Sequence, residues 1–135
     1  MRNLPRISEA EWEVMEVLWK KSPRTASEVV EVLSGKGRWK RETIRTLINR
    51  LVRKKAVGFE KKGKQYHYFP FVKEAECIRK ETKTFLRRFH GGSIEPMLAD
   101  FVQEERLSPE KIARLRQILD QAARDRQEKK EEKSR

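Results

Sequence analysis

Between Arg38 and Lys55 a single segment must satisfy two environments at once, and few folds can accommodate it. Ile44, Leu47, Ile48, Leu51 and Val52 recur at i, i+3, i+4, i+7 and i+8, which gathers them on one stripe of an α-helix. At roughly 100° per residue, the opposite face carries Trp39, Thr43, Thr46, Asn49, Arg50 and Arg53, with Arg41 and Arg45 on its flank. The stripe predicts a helix seated on a core. The outer face predicts a partner that accepts positive charge and hydrogen bonds.

Charge narrows that partner. From Lys36 to Lys64 there are twelve Lys or Arg and two acids, so this segment holds ten of the chain's formal net +12. A merely solvated face intersperses both signs. Excess charge concentrated in one place and mixed with threonines and an asparagine that can hydrogen-bond base edges is a nucleic-acid footprint. The reading set is Arg38, Trp39, Lys40, Arg41, Thr43, Arg45, Thr46, Asn49, Arg50 and Arg53.

Two short helices precede this one. Ser8 and Glu11 fit a capping box, with Ile7 and Trp12 placed as a hydrophobic staple. Trp12, Met15, Leu18 and Trp19 form a buried stripe up to the stop at Ser22-Pro23. Thr25 and Glu28 repeat the device, Ala26, Val29, Val30 and Leu33 supply the stripe, and Gly35 and Gly37 end the element. Three helices in this order, the third basic outside, are the helix-turn-helix arrangement.

After Lys55 the period changes from helical to alternating. Val57–Lys61 and Gln65–Phe69 read as two strands joined at Lys62-Gly63. Lys61, Lys62 and Lys64 make a positive tip able to lie along phosphates, while Phe59, Tyr66 and Tyr68 are expected to pack against the helices. The fold class is mainly α with a small β-hairpin: a winged helix over 1–72, then a helical region.

From Lys73 onward charge is nearly balanced, with sixteen basic and thirteen acidic residues. Ile78, Phe85, Leu86 and Phe89 follow a helical repeat that ends at Gly91-Gly92, and Ile94, Met97, Leu98 and Phe101 form a second stripe. Ser108-Pro109 opens a third helix, serine as cap and proline at the first helical position, with Ile112, Leu115, Ile118 and Leu119 facing inward. These stripes over 73–123 are too sparse to enclose a core, so they predict pairing with a second copy. The charge-rich 124–135 tail is expected to be disordered.

Other classes fall away. No apolar run approaches the roughly 20 residues that span a bilayer, so no membrane insertion and a cytoplasmic location are expected. The single cysteine, Cys77, excludes an intramolecular disulfide and any Cys-rich metal site, and His67 and His90 have no ligand-spaced companions. No phosphate loop or nucleophile elbow is present. Neither enzymatic activity nor a cofactor is expected. The remaining rival to a sequence-specific regulator is an architectural or RNA-associated protein that binds nucleic acid without sequence preference.

Several of these residues together resemble the penicillinase-repressor (BlaI/MecI/CopY) transcriptional regulators. The likeness runs from Ile7-Ser8-Glu9-Ala10-Glu11 through Trp19, Trp39, Thr43-Ile44, Thr46 and Arg50-Leu51, then the Glu60-to-Tyr68 hairpin and Phe85-Leu86 to Leu107-Ser108. The resemblance implies a homodimeric winged-helix repressor of a resistance operon, bound to palindromic double-stranded DNA with TACA/TGTA-like half-sites. Trp39, Thr43, Thr46 and Arg50 would lie at the DNA and the wing lysines on its backbone. In the antibiotic-responsive branch a membrane sensor-protease triggers cleavage, and the matching bond here is Asp100 to Phe101. Asp100 stands where those members have asparagine, and Lys40-Arg41 opens the basic helix where relatives often have Ser-Pro. The C-terminal cysteine cluster of the copper-responsive branch is missing.

Overall fold

The computed structural model describes residues 3–134. The order is α1 (Glu9–Lys20), β1 (Arg24–Thr25), α2 (Ala26–Ser34), α3 (Arg41–Arg53), β2 (Val57–Lys62), β3 (Gln65–Pro70), α4 (Glu74–Arg88), α5 (Ile94–Glu105) and α6 (Pro109–Ser134). One 3-10 turn, His90–Gly92, separates α4 from α5.

Both expected capping boxes form. Ser8 Oγ accepts from the Glu11 amide at 3.1 Å while Glu11 Oε1 accepts from the Ser8 amide at 2.8 Å. Thr25 and Glu28 make the same exchange at the start of α2, and those hydrogen bonds from Thr25 hold the Glu28 carboxyl below its ordinary range. Each box satisfies amides that the first helical turn leaves without partners.

Helices α1, α2 and α3 close on one another through Val14, Met15 and Leu18, through Val29, Val30 and Leu33, and through Ile44, Leu47, Ile48 and Leu51, all buried. At roughly 1.5–3 kcal/mol for each fully buried large aliphatic side chain, this cluster is the main stabilising term of the first unit. Its far edge is closed by Ala56, Val57, Val72 and Cys77. Trp19 is half-buried and donates its indole N–H to the Val72 carbonyl at 2.9 Å.

The chain divides into two units, the first ending at Lys83 and the second beginning at Thr84. The expected boundary at 72 therefore lies too early. Cys77 is buried in the first core, and Lys80 donates to the Leu4 carbonyl, so the opening turns of α4 belong to the winged helix. Burial pushes the Cys77 thiol up.

The sheet has three strands in the order β1-β3-β2, all antiparallel. Sequence reading missed β1: two residues are too few to show an alternating pattern, and Thr25 doubles as the cap of α2. The hairpin turn also shifts by one residue. Lys62 pairs with Gln65, so the loop is Gly63-Lys64, with Gly63 at a φ of 66°. That left-handed conformation suits glycine and sets the turn.

In the second unit Phe85 and Phe89 stack with centroids 4.9 Å apart. Among the described residues, none after Cys77 is buried. The tail expected to be disordered continues α6 to Ser134 instead. Residues 121–133 contain good helix formers and no glycine or proline, and Arg124 with Glu128 and Asp125 with Lys129 are spaced to attract one turn apart. Gln121 also donates to Asp125 at 2.9 Å.

Candidate nucleic-acid interface

Helix α3 reaches the surface because its two faces are so unequal. Ile44, Leu47, Ile48 and Leu51 are buried, while Arg41, Thr43, Arg45, Thr46, Asn49, Arg50 and Arg53 are exposed. The start of α3 is not arranged for helix stability. Lys40 occupies the N-cap without a side-chain cap, and Lys40 and Arg41 put positive charge at the positive end of the helix dipole. Arg50 and Arg53, in the last turn, sit with the dipole.

The reading face is partly pre-set. Thr46 Oγ1 donates back to the Glu42 carbonyl at 2.9 Å, and the side chain is exposed with its oxygen still able to accept. A threonine held this way suits a thymine methyl or a donor. Asn49, one turn on, offers both amide donors and a carbonyl acceptor.

Arg38 and Trp39 also make contacts within the fold. They precede the helix, and both are engaged by Glu13 of α1: Arg38 Nη1 lies 3.2 Å from Oε1, and Trp39 Nε1 donates to Oε2 at 2.5 Å. Trp39 is half-buried against the core. These contacts tether the lead into α3, and the Arg38 side chain remains 72% exposed. Glu13, which holds them, carries no sequence signal beyond its place between core positions on α1.

The wing supplies the second part. Lys61 and Lys62 end β2 and Lys64 stands in the loop, all exposed. A groove of about 230 Å³ lies between the first turn of α2, Arg45 of α3, and Lys64, Gln65, Tyr66 and Tyr68 of the wing. Arg45 and Lys64, nineteen positions apart in sequence, thus line one groove, and their two positive charges favour an anion such as phosphate. Burial raises the Tyr68 hydroxyl pKa, and the Arg45 charge opposes that shift.

Phe59 and Tyr66 were expected to pack inward, but they are 48% and 43% exposed. Register explains the difference. Phe59 pairs with Tyr68 and Lys61 with Tyr66, placing all four on one sheet face, yet only Tyr68 sits far enough down the hairpin to meet the helical core. Phe59 and Tyr66 stack on each other at 4.9 Å instead, and Lys61 Nζ lies 5.8 Å from the Tyr66 ring.

Among the described residues no group of His, Cys, Asp and Glu is placed to hold a metal ion, and no helix is long and apolar enough to cross a membrane. A three-helix core with a basic outer helix and a lysine-tipped wing defines a winged-helix DNA-binding regulator. Residues 7–121 match the penicillinase repressor family, and the chain belongs to it. It is a DNA-binding transcriptional repressor and not an enzyme. The penicillinase repressor of Bacillus licheniformis is 38% identical over 121 residues, 90% of this chain and 94% of that one. The methicillin resistance regulatory protein MecI of Staphylococcus aureus strain N315 is 36% identical over 113 residues, 84% of this chain and 92% of that one. The solution structure of monomeric Bacillus licheniformis BlaI in complex with the blaP half-operator is 39% identical with a TM-score of 0.50, covering 56% of this chain and 93% of that one.

Proposed function

We propose that this chain represses transcription as a homodimer, each copy placing α3 in the major groove of one half of a palindromic operator of a resistance-type operon. The observation that carries the dimer is the uncovered C-terminal stripe. Phe85, Phe89, Ile94, Phe101, Ile118 and Leu119 are all large, apolar and about half exposed or more. Leu86, Met97, Leu98, Ile112 and Leu115 are only half-buried, and Ile78 on α4 is exposed as well. A single chain leaves this surface in water, which a second copy would remove.

Within each half-site, Thr43, Thr46, Asn49 and Arg50 read base edges or set register, while Lys40, Arg41, Arg45, Arg53 and the wing lysines Lys61, Lys62 and Lys64 neutralise phosphates. That the monomeric form of a relative is found in complex with a half-operator supports one winged helix per half-site.

Release by proteolysis fits the same layout. Asp100 and Phe101 are exposed on α5, and cutting between them separates the winged helix from α6 and its stripe. A membrane sensor-protease, as the family resemblance implies, is one source of that cut.

Sedimentation of the chain alone, followed by titration against a half-site and a full palindrome at one salt concentration, tests the reading. A dimer that binds the palindrome far more tightly supports it. A monomer, or equal affinity for both duplexes, overturns it.

A further inference from the structure

The first unit carries a second concave surface, and its chemistry is the reverse of the DNA face. An open cleft of about 950 Å³ lies beside the start of α1, and its lining includes Trp12, Trp39 and the buried Ile7. Its polar lining includes Glu13 and Glu16 of α1 and Glu81 of α4. Among the described residues Arg38 is the one cation in that lining, and Glu13 already engages it. Among the described residues, no ion pair engages Glu16 or Glu81.

We propose that this cleft binds a small organic cation with an apolar body, and that its occupancy weakens DNA binding. Aromatic walls attract a cation through their ring faces and cover its apolar part, and carboxylates fix its charge. A net-negative aromatic cleft on a chain of formal net charge +12 also selects against anions. The size suits a single ligand of drug-like dimensions.

The coupling to DNA runs through Glu13. This carboxylate holds both Arg38 and Trp39 immediately before α3, whose N-cap Lys40 has no side-chain cap of its own. A bound cation competes for Glu13 and displaces Trp39 from its hydrogen bond. That loosens the lead into α3 and misaligns its first turn. The effect on repression rests on the DNA-binding role; binding in the cleft does not.

Intrinsic tryptophan fluorescence tests binding without DNA, using benzyltrimethylammonium as probe and benzoate and benzyl alcohol as anionic and neutral controls at constant ionic strength. The expected result is a saturable change with benzyltrimethylammonium alone, weakened about tenfold or more in the Glu16→Gln/Glu81→Gln double variant, whose changes are both at exposed sites. Saturating probe is expected to lower affinity for a duplex carrying the operator severalfold, and less so in the double variant. No saturable change, an equal response to benzyl alcohol, or an unaltered double variant overturns the site. Binding without any loss of DNA affinity overturns the coupling through Glu13. Absence of DNA binding in every sample would instead count against the repressor reading.

Discussion

Lys54 at the C-cap of α3 reaches back to Glu11 at the start of α1, its ammonium donating to Glu11 Oε1 at 2.5 Å and to the Arg6 carbonyl at 2.9 Å. Glu11 is 1% exposed. The contact ties the end of the basic helix α3 to the cap that begins the fold, so this lysine is structural although it lies in the most basic part of the sequence.

Burial pushes the Glu11 carboxyl up, but hydrogen bonds from Lys54 and Ser8 together with the Lys54 charge outweigh it, leaving the group below its ordinary value of 4.5. A carboxyl depressed in the folded state stabilises above its ordinary value and loses that contribution as pH falls through the folded one. Glu11→Gln is therefore expected to cost about 1–3 kcal/mol near neutrality, a cost typical of breaking a buried charged hydrogen bond. Urea titrations from pH 7 down to about 3 check this: the gap between the two proteins narrows below 4.5. A gap that is constant with pH counts against the assignment.

The turn after α3 holds a residue in an unfavourable conformation. Lys55 has a φ of 64°, with its amide donating to the Val52 carbonyl and the Ala56 amide to the Leu51 carbonyl, both at 3.0 Å. This is the Schellman hydrogen-bond pattern, which usually carries glycine at that position. Lys55→Gly is expected to raise stability by about 0.5–1 kcal/mol, measured as an upward shift in melting temperature. A lower melting temperature would show that the Lys55 side chain contributes more than its backbone costs.

Arg50 is exposed on the outer face of α3, one turn beyond Thr46. Arg50→Ala is expected to weaken operator binding by about 1–3 kcal/mol and to relax preference at one base position, as loss of a base contact does. Lys62→Ala, on the wing, is expected to weaken all duplexes alike and to flatten the salt dependence by about one unit of slope. Fluorescence anisotropy against operator and scrambled duplexes separates the two behaviours, and an Arg50 variant with unchanged affinity removes that residue from the interface.

A fragment ending at Lys83 retains the whole first core, including Val72 and Cys77. It is expected to melt cooperatively, sediment as a monomer, and bind a palindrome no better than twice a half-site. Dimeric sedimentation of this fragment would place the self-association surface outside the C-terminal helices.

Much of this architecture follows from local chemistry that a chain displays without being folded. Ser8, Glu11, Thr25 and Glu28 announce two helix starts, and the spacing of Ile44, Leu47, Ile48 and Leu51 orients the third helix, because capping and periodicity act within a few residues. What escaped depends on distance in sequence. Glu13 binding Arg38 and Trp39, Lys54 reaching Glu11, and Arg45 sharing a groove with Lys64 are tertiary relationships without local pattern. Phe59 and Tyr66 misled because aromatic strand residues usually pack inward, and only their height on the hairpin decides otherwise. The charged end of α6 has a disordered composition yet consists mostly of good helix formers.

In the proposed complex a symmetric pair of α3 helices reads DNA sequence. The most direct measurement is to mix the full chain with random-sequence duplex DNA at physiological salt, recover the bound fraction and sequence it. The expected outcome is enrichment of a two-fold symmetric site with TACA/TGTA-like half-sites about one helical turn apart or a multiple of it. Tight binding with no enriched sequence would contradict this and make the basic helix and wing a phosphate clamp.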